Sequence, residues 1–152
     1  MMKKALLFGV AIILVVFALQ WIPVKKNISS EKPGISFERN YKVPENISKI
    51  LSNSCYDCHS NNTRYPQYSK IQPAAWFLQK HIKDGRRELN FDDFNNYSNR
   101  RKKAKIRSVV SQIEKDEMPL RSYELMHPEA KLSKEEKKLV LDFFKSIEIQ
   151  QK

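Results

Sequence analysis

The chain has 152 residues, about one domain's worth, with 28 basic against 17 acidic side chains and a net charge of +11. Its hydrophobic share of 41%, including 8 Phe, 6 Tyr and 2 Trp, is enough for a packed core and excludes a wholly disordered chain. Three glycines and little period-two alternation argue against a hairpin-rich sandwich or barrel and against a glycine-rich nucleotide loop, so the composition leans helical.

Lys3 and Lys4 precede an apolar run from Ala5 to Ile22 interrupted only by Gln20. The run approaches the roughly 20 residues that cross hydrocarbon as a helix, with Trp21 at an interfacial position and Pro23, Lys25 and Lys26 closing it. Residues 1–26 therefore read as an N-terminal signal anchor with a transmembrane helix over about 5–22. The alternative is a signal peptide cleaved after Val16-Phe17-Ala18. Either way the remainder is exported. The lysines on the two flanks are balanced, so they do not orient the anchor. Four of the positive charges belong to these flanks, leaving +7 on residues 27–152, and on an exported domain a nucleic-acid partner is excluded.

Residues 27–43 hold Pro33, Gly34 and mixed polar residues without a sustained period and read as a tether. The domain proper is expected over 44–152. Val43, Ile47, Ile50 and Leu51 have helical spacing, with Pro44 suited to a first turn and the helix running into Cys55. Residues 60–72 are turn-rich. Pro73 then opens a second helix, which Gly85 is expected to stop, and Asn90–Asn96 suggests one further turn. Ile106, Val109, Val110 and Ile113 mark an amphipathic helix within 98–117, ending before Met118-Pro119. The last helix starts at Ser133, where Ser133 and Glu136 form a capping box, and its apolar positions are Leu139, Val140, Phe143 and Ile147. These elements predict an all-α domain of about four helices joined by long loops.

Cys55-Tyr56-Asp57-Cys58-His59 uses both cysteines in the C-x-x-C-H pattern of covalent c-type haem attachment. Two thiols one helical turn apart can add to the two vinyl groups of one porphyrin, and the following imidazole can ligate the iron. Export fits this reading, because attachment of this kind occurs outside the cytoplasm. Three readings compete with it. A structural zinc site would need a fourth ligand, and His81 or His127 gives no recognised spacing. A thioredoxin-like pair would need an α/β fold, and a plain disulfide leaves His59 unused.

The stretch CYDCHSNNTRYPQYSKIQPAAWFLQKHIKDGRRELNF, with a later Met-Pro and then YELMHPEAKLS, resembles the haem-binding domain family of small exported bacterial c-type cytochromes. The resemblance covers about residues 44–147. HSNNTRYP and the LNF after Gly85 are its more specific parts, and Gln67 stands where the family pattern has Trp. It implies one covalent haem c and a small cytochrome c-like helical domain around it.

An electron carrier needs a second axial ligand opposite His59. Met118, at a helix end before Pro119, is the candidate, ahead of His81, Met126 and His127. Arg64, Tyr65, Tyr68 and Trp76 follow the motif closely and could donate hydrogen bonds to haem propionates. By analogy with other cytochromes c, a carbonyl near Pro73 would orient the proximal imidazole.

Arg100, Arg101, Lys102, Lys103, Lys105 and Arg107 open the third helix of the domain, while Glu114, Asp116 and Glu117 close it. Both groups oppose the helix dipole, each charge costing about 0.3 to 1 kcal/mol. Either that helix starts nearer Ala104, or the basic cluster is kept for another purpose: docking onto an acidic redox partner or anionic lipid headgroups would suit it, and a solvated basic loop is the default reading. The expected protein is a membrane-anchored monohaem c-type cytochrome, not an enzyme, passing single electrons to redox partner proteins. It would be single-pass in the inner membrane with its haem domain periplasmic. The alternatives are a haem sensor or peroxidase-like enzyme with an open sixth position, and a non-haem binding module.

Overall fold

The structure is a computed structural model and describes residues 2–150. Its order is α1 (Met2–Leu19), α2 (Ile35–Tyr41), α3 (Glu45–Ser54), α4 (Tyr56–His59), α5 (Ala74–Glu88), α6 (Asn99–Glu114), α7 (Arg121–Met126) and α8 (Lys134–Gln150), with three short 3₁₀ turns. Among the described residues there is no strand, as the composition predicts.

Helix α1 buries none of its side chains against the protein and is apolar and long enough to cross a membrane. It ends at Leu19, three residues short of the predicted span, where Gln20 turns to the domain. Its side chain accepts from the Gln72 backbone N–H at 2.9 Å while donating to Val16 O at 3.0 Å.

Residues 27–43 are not a slack tether. Asn27 is buried and donates through Nδ2 to Ser60 O at 3.0 Å and Thr63 Oγ1 at 2.9 Å. Gly34 takes a left-handed φ of 70°, and a side chain there would collide with the Tyr56 ring, so this turn requires glycine. It leads into α2, whose Phe37 is 0% exposed and packs on Phe91, Phe94 and Phe144 with ring centroids 4.9, 5.2 and 6.3 Å away. A short helix centred on one large aromatic escapes periodicity, since it spans too few turns to repeat. Glu38 of α2 accepts from Ser48 Oγ at 2.7 Å and the Tyr56 hydroxyl at 2.8 Å, tying α2 to α3 and α4.

Ile47, Ile50 and Leu51 of α3 are buried as their spacing predicts. Ser133 and Glu136 form the expected capping box, with bonds of 2.9 and 3.1 Å. The buried stripe of α8 is Val140, Phe144 and Ile147, however. Val140 and Ile147 are thus buried as expected, whereas Leu139 is exposed and Phe143 only half-buried, with Phe144 turned inward in its place. In α6, Ile106 and Ile113 are buried, with Val109 and Val110 at the margin. This helix starts at Asn99 and not near Ala104, because Ser98 Oγ accepts from Arg101 N at 3.4 Å and caps it. The basic residues thus occupy its first turns, and neighbours offset some of the charge. Arg101 lies 3.9 Å from the Tyr97 ring centroid, and Arg107 donates to Glu148 at 2.6 Å.

Gly85 does not stop α5, which runs on to Glu88. Its role is close approach: a Cβ at Gly85 would lie 2.8 Å from Cys58 O and 3.2 Å from Cys58 Cβ. The absent side chain lets the last turn of α5 lie directly against the cysteine motif.

Candidate functional site

Cys55 is the joint between two helices. Its N–H closes α3 on Leu51 O at 2.9 Å, its own φ of −128° breaks the helix, and its carbonyl accepts from His59 N at 2.9 Å to open α4. The motif is therefore wound into one tight turn. Both thiols are free, and burial pushes each up to about 12, assisted by the neighbouring Cys58 for Cys55 and by Asp57 for Cys58. They are neutral S–H groups near neutral pH.

His59 Nδ1 lies 3.0 Å from Gly85 O and 3.1 Å from Leu89 O. Carbonyl oxygens only accept, so Nδ1 carries the proton and Nε2 holds the free lone pair. Burial lowers the affinity of this imidazole for a second proton, which keeps that lone pair available. The orienting carbonyls come from the C-terminal end of α5, and this corrects the expectation placed on Pro73. Pro73 caps the opposite end of that helix, about 20 Å away at 1.5 Å per residue.

Around this imidazole the walls are largely apolar. One cavity of about 250 Å³ is lined by Cys55, His59, Val109, Ile113 and Met118. A second of about 240 Å³ shares His59 and Met118 and adds Cys58, His81 and Tyr123. A third of about 220 Å³ continues from Cys58, His81 and Tyr123 to Tyr68, Phe77 and Met126. The shared walls make these one crevice with the cysteine motif along it. Met118 reaches it because Asp116, at φ 56°, turns the chain back after α6, and Glu117 and Met118 both donate to Gln112 O. Among the described residues Lys105 is the lysine or arginine on these walls, 3.5 Å from Glu88.

Arg64, Tyr65 and Trp76 do not line this crevice. Arg64 donates to both Asp57 carboxylate oxygens and, through Nη2, to Ser52 O at 2.7 Å. The Tyr65 hydroxyl accepts from Asn27 N at 2.6 Å and donates to Gln79 at 3.1 Å, so it anchors the N-terminal segment. Trp76 is half-buried on α5. Tyr68 does line the crevice, and its hydroxyl sits 2.9 Å from His127 Nε2. With Glu129 facing its Nδ1 at 3.4 Å, His127 has both ring nitrogens engaged. His81 differs: its Nε2 is buried without a hydrogen-bond partner, and its ring meets Phe77 edge-on at 4.3 Å.

Sequence reasoning missed Asp57. Only 7% exposed, it accepts from the Arg64 backbone at 2.9 Å, from the Arg64 guanidinium, and from the Tyr123 hydroxyl at 2.6 Å. A middle position of the motif thereby holds α7 over the crevice. Nothing in the residue pattern pairs it with Tyr123, which lies 66 positions away.

Among the described residues no three His, Cys, Asp or Glu side chains converge as metal ligands. The absence of strands among them removes the thioredoxin-like reading. Residues 14–146 match the sequence profile of the haem-binding domain family. The chain belongs to the haem-binding domain family. No curated protein and no solved structure gives a significant match. The match also takes in residues 27–43, in keeping with their packing into the domain. Haem suits this crevice chemically: an imidazole with its free lone pair on Nε2, a thioether on the walls it shares, largely apolar surfaces for a porphyrin and a lysine for a carboxylate.

Proposed function

We propose that this protein is a membrane-anchored monohaem cytochrome of the c type, carrying single electrons outside the cytoplasm without acting on a substrate bond. The observation that carries the reading is that Cys55, Cys58, His59 and Met118 share one crevice, with His59 Nδ1 held by two backbone carbonyls. Bound there, haem supplies reversible one-electron exchange at its iron. Cys55 and Cys58, both free thiols, would hold the haem covalently as thioethers to its two vinyl groups, an addition that needs no oxidant or reductant. His59, through its free Nε2, and Met118, through its thioether sulfur, would hold the iron. Lys105, three-quarters buried, is suited to pairing with a propionate, the task that sequence reasoning gave to Arg64. Helix α1 serves as a single-pass anchor in the inner membrane, with the domain on the periplasmic side, where redox partner proteins would reach it.

A second reading has an observation of its own. The unpartnered His81 Nε2 lines the same crevice and could be the distal ligand, or the distal base of a haem sensor or peroxidase-like site. Protein matured in an export-competent cytochrome c host separates these readings. Haem should resist extraction by acidified organic solvent after denaturation, and the oxidised spectrum should be low-spin with a sulfur-to-iron band. Extractable haem refutes covalent attachment, and a high-spin spectrum refutes the carrier. Alkaline carbonate should leave the chain in the membrane; recovery of a soluble chain starting at Leu19 refutes the anchor.

A further inference from the structure

The basic cluster of α6 is conspicuous in the sequence, but the structure assembles another cationic site from two distant stretches. Lys25 and Lys26, just beyond α1, and Lys83, Arg86 and Arg87 of α5 line one open cleft of about 1130 Å³. Asp93 is the carboxylate on its walls, and it accepts from Asn90 Nδ2 at 2.6 Å. Arg87 is compensated by Asp84 at 3.2 Å and Glu88 at 3.6 Å. Arg86 donates from Nη2 to Asn61 at 2.7 Å, yet its Nε is buried without a hydrogen-bond partner. Gathering cations around a donor left unpaired is unfavourable by itself and complementary to an anion.

The cleft is held close to the end of the anchor. Gln72 donates to Gln20 and, through Nε2, to Ile22 O at 3.2 Å, while Asn27 is fastened to Ser60 and Thr63. Lys25 lies six residues beyond Leu19, at most about 20 Å of chain. We propose that this cleft seats the phosphate of an anionic lipid headgroup and so holds the haem domain on the bilayer surface in one orientation. The proposal rests on the anchor reading above, since a bilayer spanned by α1 brings headgroups to Lys25 and Lys26. Helix α5 presents His81, Gly85 and Glu88 to the haem crevice and Lys83 and Arg86 to the cleft. A headgroup in the cleft therefore fixes the direction in which the crevice opens.

The full chain in neutral-detergent micelles, titrated with phosphatidylglycerol or phosphatidylcholine and read by native mass spectrometry, provides the test. Phosphatidylglycerol should be retained in preference. Each charge removed should cost about fivefold in affinity, so Lys83→Gln with Arg86→Gln should weaken retention about 25-fold. Lys25→Gln with Lys26→Gln, which leaves α5 untouched, should act in the same direction, whereas Arg100→Gln with Lys103→Gln on α6 should change nothing. Equal retention of the two lipids, or an equal loss in the α6 variant, overturns the proposal. Displacement of phosphatidylglycerol by millimolar inorganic phosphate also overturns it, because the cleft would then be a site for a free anion. Carbonate extraction reads the anchor separately: release with the lipid preference intact refutes the anchor and supports the headgroup site, and retention without the preference refutes the site alone.

Discussion

His59 and Gly85 meet at the end of α5: the imidazole Nδ1 lies 3.0 Å from the Gly85 carbonyl oxygen, and the missing Gly85 side chain is what lets the same turn lie against Cys58. Gly85 thus shares with Leu89 the setting of the His59 tautomer, and by itself it sets how closely the helix approaches Cys58. Gly85→Ala places a methyl group 2.8 Å from Cys58 O, a backbone atom that cannot swing aside. A loss of about 1 to 3 kcal/mol is expected, as for an overpacked core, together with haem that is incorporated less completely. Urea unfolding checks the first and the haem-to-protein absorbance ratio the second. An unchanged unfolding midpoint would show that α5 can slide at no cost.

Met118→Ala should open one axial position, turning the oxidised iron high-spin and lowering the potential, because a sulfur ligand favours ferrous iron. Met118→His should remain low-spin at a lower potential. His81→Ala is the control and should leave the spectrum nearly unchanged. The reverse pattern, with His81→Ala opening the site and Met118→Ala silent, would make the protein a bis-histidine cytochrome.

The Asp57 carboxylate and the Tyr123 hydroxyl hold α7 over the crevice. Burial and the Asp57 carboxylate both raise the Tyr123 pKa, so the phenol remains a donor throughout the neutral range. A double-mutant cycle with Asp57→Asn and Tyr123→Phe should give a coupling of about 1.5 to 3 kcal/mol, typical of a hydrogen bond to a charged group. Arg64→Gln should cost less, since its side chain is more than half exposed and solvent screens the pair. Additive effects of the two substitutions at 57 and 123 would mean that the bond does not persist in solution.

Phe37→Ala tests whether residues 27–43 belong to the domain. Removing a fully buried phenylalanine should cost about 3 to 5 kcal/mol. Thermal unfolding followed by circular dichroism should show the loss as one cooperative transition. A stability within error of the native chain would return this segment to the status of a tether.

The amino-acid sequence by itself determined the elements whose causes are local. The apolar run of α1, the Ser133–Glu136 capping box and the stripe of Ile47, Ile50 and Leu51 follow from periodicity and capping over a few turns, and the spacing of Cys55, Cys58 and His59 is complete within one turn. Tertiary structure decided everything that depends on residues brought together from afar. The carbonyls that orient His59 come from Gly85 and Leu89, the partner of Asp57 comes from α7, and Arg64 is drawn to Asp57 and away from the crevice where sequence proximity had put it. Phe37 becomes the centre of the core although its helix is too short to show a period, and on α8 it is Phe144 and not Phe143 that turns inward to pack on it. Hydrogen bonding and close packing act over a few ångströms in space with no regard for separation along the chain, so a local pattern can name the groups able to hold a haem but not the groups that hold them in place.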